Sequence, residues 1–319
     1  MKVHQGLSQL PLFRNPVLTI GTFDGVHTGH ATLIQRMKKR AAAIQGETVL
    51  ISFHPHPRFV LSGHAEPISL LSSLNEKADA LEQLGVDHFV IVPFTPEFAA
   101  IPAADYLEHF LWKYFKPAVF IIGYDHRFGR NREGNFAMLE KASHTHGFEL
   151  EEINMQELEQ LAVSSTRIRN DLKQGELERA NRLLGRPYTL YGQVIRGNQV
   201  GRTLGFPTAN IQPDDEHKLI PMNGVYIVRA QYGEQFFGAM MNIGVRPTLQ
   251  NGTQRHIEVH LFGFEGNLYA QLLKLDMVFR IRSEIKFSDL ESLKKQIQND
   301  REVSVHWLRT HYPDLPVPV

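Results

Sequence analysis

The sequence predicts an α/β domain with a parallel sheet in residues 1–186 and an antiparallel β-barrel with a terminal helix in residues 187–319. Its length of 319 residues corresponds to about two domains. In the first part, short apolar runs alternate with stretches of helical spacing, which is typical of βα units. In the second part, strand-like runs follow one another with little helix between them. We therefore expect two domains of different class.

The parallel sheet is predicted from short apolar runs separated by amphipathic segments. The predicted strands are residues 17–20, 48–53, 88–94, 118–123 and 149–153. Helices are predicted at residues 30–44, 73–85, 102–115, 166–174 and 177–184. The second of these helices begins with Ser73 and Glu76, the spacing of a capping box. We expect helices on both faces of this sheet.

The barrel is predicted from strand-like runs joined by hairpin-type turns, such as the turn at Gly233 and Glu234. These runs are residues 188–196, 225–230, 235–243, 256–264 and 272–281. Closing the sheet into a barrel removes exposed strand edges. The chain then ends in a helix for which Ser288 is the expected N-cap and Glu291 the residue at N3.

The composition excludes several classes of function. The 34 basic and 34 acidic residues cancel, so no overall field attracts nucleic acid or an anionic membrane. The chain has no cysteine, which excludes disulfides, thiolate catalysis and cysteine-ligated metals. Neither a signal-type N-terminus nor an apolar stretch of spanning length is found. We expect a cytoplasmic protein without nucleic-acid or membrane partners.

The segment of residues 21–30 is the strongest indication of chemistry in the first domain. An apolar strand leads into a glycine-containing loop, and His27 and His30 stand three apart at the start of a predicted helix. A helix N-terminus presents unpaired N–H groups and the positive end of the helix dipole, which together bind phosphate. The alternative is a tight βα turn with two solvated histidines.

Three further segments follow predicted strands or begin a helix, at residues 54–58, 123–130 and 163–169. The first carries two histidines and an arginine that suit phosphate, although proline turns with exposed histidines explain it equally well. The second mixes glycines, Asp125 and arginines, and suits a sugar or ring edge; a solvated basic loop is the alternative. In the third, the hydroxyls of Ser164, Ser165 and Thr166 could simply cap a helix, while Arg169 could reach a phosphate.

Two segments of the second domain also combine residues suited to chemistry. In residues 201–210 the glycines allow close approach of backbone to phosphate, and Thr208 and Asn210 are hard oxygen ligands suited to Mg²⁺. An ordinary connection between strands is the alternative. In residues 256–260, strand alternation places Glu258 and its histidine neighbours on one face. That face is either solvent-exposed, or it holds Glu258 as a general base.

Together the motifs of the first domain resemble a known family. Gly-x-Phe-Asp-Gly-x-His-x-Gly-His, Gly-x-Asp-x-x-Phe-Gly and Ser-Ser-Thr-x-Ile-Arg occur in this order. They are similar to the adenylyltransferase part of the prokaryotic bifunctional riboflavin kinase/FAD synthetase family, which has a Rossmann-like nucleotidyltransferase fold. The resemblance implies that ATP and FMN condense to FAD with release of pyrophosphate.

The resemblance also implies roles for individual residues. His27 and His30 would contact the ATP phosphates as catalytic residues, and Asp125 would help to place the flavin. The remaining ATP-binding and triphosphate-binding residues would be Gly21, Phe23, Asp24, Gly29, Ser165, Thr166 and Arg169, the last of them also catalytic. One position departs from the family pattern, because His126 stands where the family usually has phenylalanine.

The second domain is similar to the riboflavin kinase part of the same family. The match consists of Gly-Arg-x-x-Gly-x-Pro-Thr-Ala-Asn at residues 201–210, followed by motifs at 223–226, 242–248, 258–260 and 281–287. It implies that Glu258 takes the proton of the riboflavin 5′-hydroxyl, which attacks the γ-phosphate of ATP. Thr208 and Asn210 would ligate Mg²⁺, and a loop with Gly201, Arg202 and Gly205 would cover the phosphates.

The sequence therefore predicts an enzyme with ATP, riboflavin and FMN as substrates, Mg²⁺ as cofactor, and a monomeric or weakly oligomeric state. A nucleotidyltransferase with another acceptor would need neither the Pro-Thr-Ala-Asn segment nor Glu258. A flavin-binding regulator with decayed catalytic residues is disfavoured, because His27, His30 and Glu258 are all present. An RNA-binding barrel is disfavoured by the neutral net charge.

Overall fold

The computed structural model describes residues 1–61, 68–123, 126–153, 165–197, 205–247 and 253–317, without the side chains of residues 246, 247, 253 and 254. The chain divides into two compact units. Unit one comprises Met1–Ser69 and Lys77–Ser164, and unit two comprises Leu70–Glu76 and Ser165–Val319. The domain boundary at residue 186 stays a prediction.

Unit one contains a six-stranded parallel sheet, which confirms the predicted parallel sheet and adds one strand to the five predicted. The strands are β1 (Lys2–Gln5), β2 (Val17–Ile20), β3 (Thr48–His54), β4 (His88–Pro93), β5 (Val119–Gly123) and β6 (Glu149–Ile153). Their order in the sheet is β1-β4-β3-β2-β5-β6. The four residues of β2 are all buried, which explains why that strand reads as an uninterrupted apolar run. The chain reverses direction across the sheet at β2, since β3 lies on one side of it and β5 on the other.

The helices of unit one include the three predicted ones and three that were not predicted, at residues 57–61, 96–99 and 136–146. They are α1 (Thr28–Ala43), α2 (Pro57–Leu61), α3 (Leu74–Gln83), α4 (Pro96–Ala99), α5 (Ala103–Asp105), a π-helical segment (Tyr106–Trp112), α6 (Lys113–Phe115) and α7 (Phe136–His146). The first residues of α3 group with unit two. The single helix predicted at residues 102–115 is thus divided into three helical segments, which bury Tyr106, Leu107, Phe110 and Leu111. Its end is a left-handed residue, Lys116, with a φ of 41°.

Strand β1 and helices α2, α4 and α7 of unit one are not predicted from the sequence. Strand β1 is short, mostly exposed and polar, so it lacks the hydrophobic pattern on which strand prediction depends. It pairs in parallel with β4 and forms the edge of the sheet. Helix α7 has ordinary end signals, since Asn135 accepts a hydrogen bond from the Met138 N–H at 3.1 Å and Gly147 is left-handed with a φ of 75°.

Unit two contains the predicted antiparallel barrel, which is closed. Its strands are β7 (Tyr188–Ile195), β8 (Ala209–Pro213), β9 (Gly224–Tyr232), β10 (Gln235–Pro247), β11 (Thr253–Leu261) and β12 (Leu272–Arg282). The order around the barrel is β10-β11-β8-β7-β12-β9. Strand β8 is not among the predicted strands. It begins at Ala209, so the last two residues of the segment 201–210 belong to a strand.

Three helices complete unit two: α8 (Ser165–Gln174), α9 (Leu177–Leu184) and the terminal α10 (Leu290–His311). The predicted N-cap of α10, Ser288, is wrong by one residue. Asp289 is the N-cap, because its carboxylate accepts the Ser292 N–H at 2.8 Å, while the Ser288 hydroxyl bonds to the same carboxylate. Helix α10 packs on the barrel through Val305 and Leu308.

Within the described ranges, no helix combines the length and the apolar character that crossing a bilayer requires.

Candidate active sites

The histidine loop of unit one, residues 21–30, lies at the carboxyl end of β2. The Gly21 N–H bonds to the Ile51 carbonyl at 3.0 Å, which ties the start of the loop to β3. Phe23 and Val26 then have φ values of 47° and 42°, so the backbone turns sharply before α1. Because the sheet order reverses at β2, this loop occupies the topological switch point, where ligands of open α/β sheets bind.

The two histidines of the loop are stacked at the start of α1. His27 is the N-cap residue, and its ring centroid lies 3.8 Å from that of His30, with the planes 21° apart. The ring of Phe23 lies against the imidazole of His30, and the two ring centroids are 4.9 Å apart. Since the first turn of α1 has no acidic residue, the positive end of the helix is available to an anion.

His30 is held as a neutral imidazole. Burial lowers its pKa well below the usual 6.5, and the charges of His27 and Lys77 lower it further. Its Nδ1 atom is buried and has no hydrogen-bond partner within the described part of the chain. A buried polar atom without a partner is uncommon, and a bound ligand is one way to satisfy it. A neutral imidazole in this position can donate one N–H to a phosphate oxygen.

The structure brings together one part of the predicted adenylyltransferase set. These residues lie on one loop: Gly21, Phe23, Asp24, His27, Gly29 and His30, with Asp24 and His27 buried. Asp125 lies outside the described residues. Ser165, Thr166 and Arg169 lie in the first turns of α8, which groups with unit two. Their meeting with the histidine loop therefore stays a prediction.

Sequence reasoning missed Lys77 and Ser52 in this site. Lys77 is only 6 % exposed, and its ammonium donates to the Thr22 carbonyl at 2.6 Å. The Ser52 hydroxyl donates to the same carbonyl at 3.1 Å. A lysine in an amphipathic helix usually reads as a solvated residue. The available signal was that Lys77 directly follows the capping-box residue Glu76, in the first turn of α3.

In unit two, the strand register aligns three polar side chains. Glu258 of β11 lies opposite Asn242 of β10 and opposite Asn210 of β8. Directly paired residues share one face of a sheet, so these side chains form a row across three neighbouring strands. The Thr208 hydroxyl lies 3.4 Å from a carboxylate oxygen of Glu258. The structure thus brings Thr208, Asn210 and Glu258 together, as predicted.

The row borders a cavity of about 550 Å³. Its wall is largely apolar, and the polar residues in it include Thr208, Asn242, Glu258, His260, Arg282 and Glu284. The face that carries Glu258 and His260 therefore lines a cavity, and the role of Glu258 as a general base stays a prediction. The His260 Nδ1 atom lies 2.8 Å from the Pro207 carbonyl. Burial lowers the pKa of His260, the hydrogen bond to the Pro207 carbonyl opposes this, and the charge of Arg301 lowers the pKa further.

Arg282 and Glu284 reach this cavity from the end of the barrel. The guanidinium of Arg282 is held by Asp300 of α10, with Nη2 at 2.6 Å and Nε at 3.0 Å from the carboxylate oxygens. Glu284 lies against Gly244, where a Cβ atom would be 2.4 Å from its carboxylate. A side chain at position 244 would require the carboxylate of Glu284 to move.

A second cavity of about 370 Å³ adjoins the same row and shares Thr208 with the first. It is lined by Val194, Pro207, Thr208, Ala209, Val259, Leu261, Phe264, Gly266, Asn267, Leu268 and Tyr269. Among the predicted phosphate-binding residues, Gly205 has a φ of 87° and open space at its Cβ position. Gly201 and Arg202 lie outside the described residues.

The oxygen donors around Thr208 fit a hard divalent cation. The hydroxyl of Thr208, the amide of Asn210 and the carboxylate of Glu258 are the ligand types that such cations prefer. The described residues contain no cluster of three His, Asp or Glu side chains that could hold a metal ion. An ATP-bound cation needs few protein ligands, because phosphates and water supply the others.

Comparison with known proteins identifies both units. A family model described as FAD synthetase matches residues 11–167, and one described as riboflavin kinase matches residues 184–308. A Haemophilus influenzae protein named bifunctional riboflavin kinase/FMN adenylyltransferase is 38 % identical over 288 residues, covering 90 % of this chain and 92 % of that protein. Proteins of the same name from Pseudomonas fluorescens and Escherichia coli K12 are each 36 % identical, covering 94 % of this chain and 96 % of their own length.

The fold of the whole chain also occurs among solved structures. A crystal structure described as a macrolide-efflux protein from Streptococcus pneumoniae matches with a TM-score of 0.81 and 28 % identity, covering 95 % of this chain and 98 % of that one. Kinases and nucleotidyltransferases of this kind use a divalent metal ion with ATP. The order of motifs, the two family models and the relatives agree, and the chain belongs to the bifunctional riboflavin kinase/FMN adenylyltransferase family.

Proposed function

We propose that this chain makes FAD from riboflavin in two steps. Unit two phosphorylates riboflavin with ATP to FMN, and unit one transfers the AMP part of a second ATP to FMN with release of pyrophosphate. The observation that carries the proposal is the position of Thr208, which lines both cavities of unit two and lies 3.4 Å from the Glu258 carboxylate. This arrangement allows a phosphoryl donor in one cavity and an acceptor in the other to meet beside one carboxylate.

The larger cavity is suited to the flavin and the smaller one to the adenine nucleotide. Apolar side chains such as Met240, Ile285 and Leu293 line the larger cavity and match a fused aromatic ring. A flavin held there presents its 5′-hydroxyl toward Glu258. The smaller cavity combines apolar side chains with the amide of Asn267, which suits a nucleobase.

Glu258 acts as the general base of the kinase step. Its carboxylate takes the proton of the 5′-hydroxyl as the hydroxyl oxygen bonds to the γ-phosphorus of ATP. The bond between the γ-phosphorus and the bridging oxygen breaks, and ADP leaves with its electron pair.

Thr208 and Asn210 would hold the Mg²⁺ that accompanies ATP, through hydroxyl and amide oxygens. When bound, Mg²⁺ neutralises charge on the β- and γ-phosphates. Gly201, Arg202 and Gly205 belong to the loop that covers these phosphates. The backbone freedom of Gly205, with its φ of 87°, suits a close approach to phosphate.

The adenylyl transfer requires no strong base. The FMN phosphate is already anionic, so one of its oxygens attacks the α-phosphorus of ATP directly, and the bond to pyrophosphate breaks. Catalysis is then mainly alignment and charge stabilisation. His27 and His30 donate N–H groups to phosphate oxygens beside the start of α1, and Gly21, Phe23, Asp24 and Gly29 shape the nucleotide loop.

The remaining predicted residues complete the site of unit one. Ser165, Thr166 and Arg169 bind the triphosphate, with Arg169 stabilising the transferring group, and Asp125 places the flavin. ATP, riboflavin and FMN are thus the small-molecule partners. A monomeric or weakly oligomeric state and a cytoplasmic location remain the expectation.

The proposal is tested by incubating the full-length protein with riboflavin, ATP and MgCl₂ and separating the products by chromatography. FMN is expected first and FAD after it. With FMN supplied in place of riboflavin, FAD is expected without a lag. If neither FMN nor FAD is formed, the proposed function is wrong. If FAD forms only from supplied FMN, the kinase assignment of unit two fails alone.

A further inference from the structure

A buried lysine lies beneath the histidine loop of unit one. The ammonium of Lys77 donates to the Thr22 carbonyl at 2.6 Å and lies 3.4 Å from the Ser52 hydroxyl. The Ser52 hydroxyl in turn donates to the Thr22 carbonyl at 3.1 Å. Ser52 is completely buried and Lys77 nearly so. Two donors from different elements, β3 and α3, therefore converge on one carbonyl of the loop.

The Thr22 carbonyl affects the position of His30 through Phe23. Thr22 directly precedes Phe23, whose φ of 47° is unusual for an aromatic residue. The Phe23 ring folds back over Gly21, where a Cβ atom would be 2.9 Å from it, and lies against His30. The orientation of the Thr22 peptide therefore determines where the Phe23 ring lies, and that ring is one side of the slot that contains His30.

The energetic cost of this arrangement is large for a residue with only a packing role. A buried ammonium loses its hydration, and the loss is offset only where hydrogen bonds and nearby dipoles replace water. An apolar residue could fill the same space at lower cost. The hydrogen bonds of Lys77 to the Thr22 carbonyl and the Ser52 hydroxyl therefore indicate that an ammonium group is required beneath the histidine loop.

We propose that Lys77 is a positioning residue for adenylyl transfer, which holds the Thr22 carbonyl and so keeps Phe23 and His30 in the geometry that the transferring phosphate needs. The proposal rests on the function proposed for unit one. Lys77 acts on His30 in a second way, through its charge. The pKa of His30 is lowered first by burial, then by His27 and then by Lys77.

Two titratable groups lower the pKa of His30 besides burial, His27 at the N-cap of α1 and Lys77 of α3. His30 therefore stays a neutral donor at the pH where ATP and FMN are fully ionised. Removing Lys77 is expected to loosen the loop and to raise the pKa of His30.

The decisive comparison is between Lys77→Met and Lys38→Met in the full-length protein. Lys38 is a matched control, because it also donates to a backbone carbonyl of unit one, that of Leu84 at 3.0 Å, but not in the histidine loop. FAD formation from supplied FMN and ATP is measured beside FMN formation from riboflavin in the same preparation. The kinase reaction thus serves as an internal control of folding.

We expect Lys77→Met to lower kcat for FAD formation by about a hundredfold, the usual effect of misplacing a catalytic group by about 1 Å. The kinase reaction is expected to be unchanged, and Lys38→Met is expected to change neither reaction. Histidine NMR titration of the ligand-free protein should show an upward shift of the His30 pKa in Lys77→Met and none in Lys38→Met. Lys77→Arg, which can still donate to the Thr22 carbonyl, should recover part of kcat.

A second variant covers the case in which Lys77→Met folds poorly. Ser52→Ala removes the other donor to the Thr22 carbonyl without removing a charge, so it should lower kcat for FAD formation less and leave the His30 pKa unchanged. The proposal is overturned if Lys77→Met keeps the wild-type kcat, or if both reactions fall equally in it. It also fails if the His30 pKa does not rise. Absence of FAD in the wild type would overturn the function of unit one and this proposal with it.

Discussion

The ammonium of Lys218 donates a hydrogen bond to the carboxylate of Glu76, and both side chains are buried inside unit two. Lys218 also donates to the carbonyls of Leu71 and Thr189, each at 2.7 Å. Its ammonium lies 4.1 Å from the ring centroid of Tyr188. A segment from the first third of the chain, residues 70–76, thereby supplies the counter-charge for a lysine of the barrel unit.

The carboxylate of Glu76 accepts hydrogen bonds from two backbone N–H groups as well as from Lys218. It accepts the Tyr191 N–H at 2.8 Å and the Ser73 N–H at 3.0 Å in addition to the Lys218 ammonium. Burial raises the pKa of Glu76, and Lys218 opposes that rise. An ion pair of this kind adds little over an apolar pair of equal volume, but breaking it leaves one buried charge uncompensated.

Glu76→Gln is therefore expected to lower the free energy of unfolding of unit two by about 3–5 kcal/mol. Urea denaturation of the full-length protein measures the effect. Glu216→Gln is the control, since Glu216 is exposed and close in sequence to Lys218, and its effect should stay within about 0.5 kcal/mol. An effect of Glu76→Gln no larger than that of the control would contradict the role assigned to the pair.

A fragment test separates the role of the pair from that of the position. A chain of residues 165–319 lacks Glu76, so Lys218 loses its carboxylate partner there. Lys218→Met should then raise the free energy of unfolding of the fragment, whereas the same substitution should lower that of the full-length protein. Equal signs in both backgrounds would show that residues 70–76 do not compensate the charge of Lys218.

Glu258→Gln is expected to lower kcat for FMN formation by about 10²–10⁴-fold, the usual contribution of a general base. Glutamine keeps the shape of the side chain but cannot take the proton of the 5′-hydroxyl. FAD formation from supplied FMN should be unchanged. Glu265→Gln, on an exposed turn of the same unit, is the control and should change neither reaction. A retained kcat for FMN formation in Glu258→Gln would remove Glu258 as the base.

His30→Ala is expected to have the opposite pattern, with loss of FAD formation and retention of FMN formation. The alanine removes the N–H that reaches the phosphate and one ring of the stack with His27. The loss in kcat is expected to be about 10²–10³-fold, as for the removal of one preorganised donor. The same two product assays measure it. Loss of both reactions in His30→Ala would argue against two independent sites.

The sequence alone determined the fold class of both units and the family of the chain, and it predicted which residues of two loops carry chemistry. These signals are local: the apolar run of β2, the glycines and histidines that follow it, and the capping box of Ser73 and Glu76. The capping box is confirmed, since the Ser73 N–H bonds to the Glu76 carboxylate at 3.0 Å and the Glu76 N–H lies 3.4 Å from the Ser73 hydroxyl. Residues three or four apart restrain each other through the backbone, so their pattern can be read without the fold.

Only the tertiary structure decided which side chains from distant segments meet. The alternation in residues 256–260 places Glu258 and His260 on one face, but that face lines a cavity because residues of β10, residues 282–289 and α10 border it as well. In the same way, Lys77 and Glu76 look like ordinary polar residues of a helical first turn. Their partners, Thr22 and Lys218, lie 55 and 142 residues away. Such pairings depend on strand register and packing of the whole chain, which no local pattern encodes.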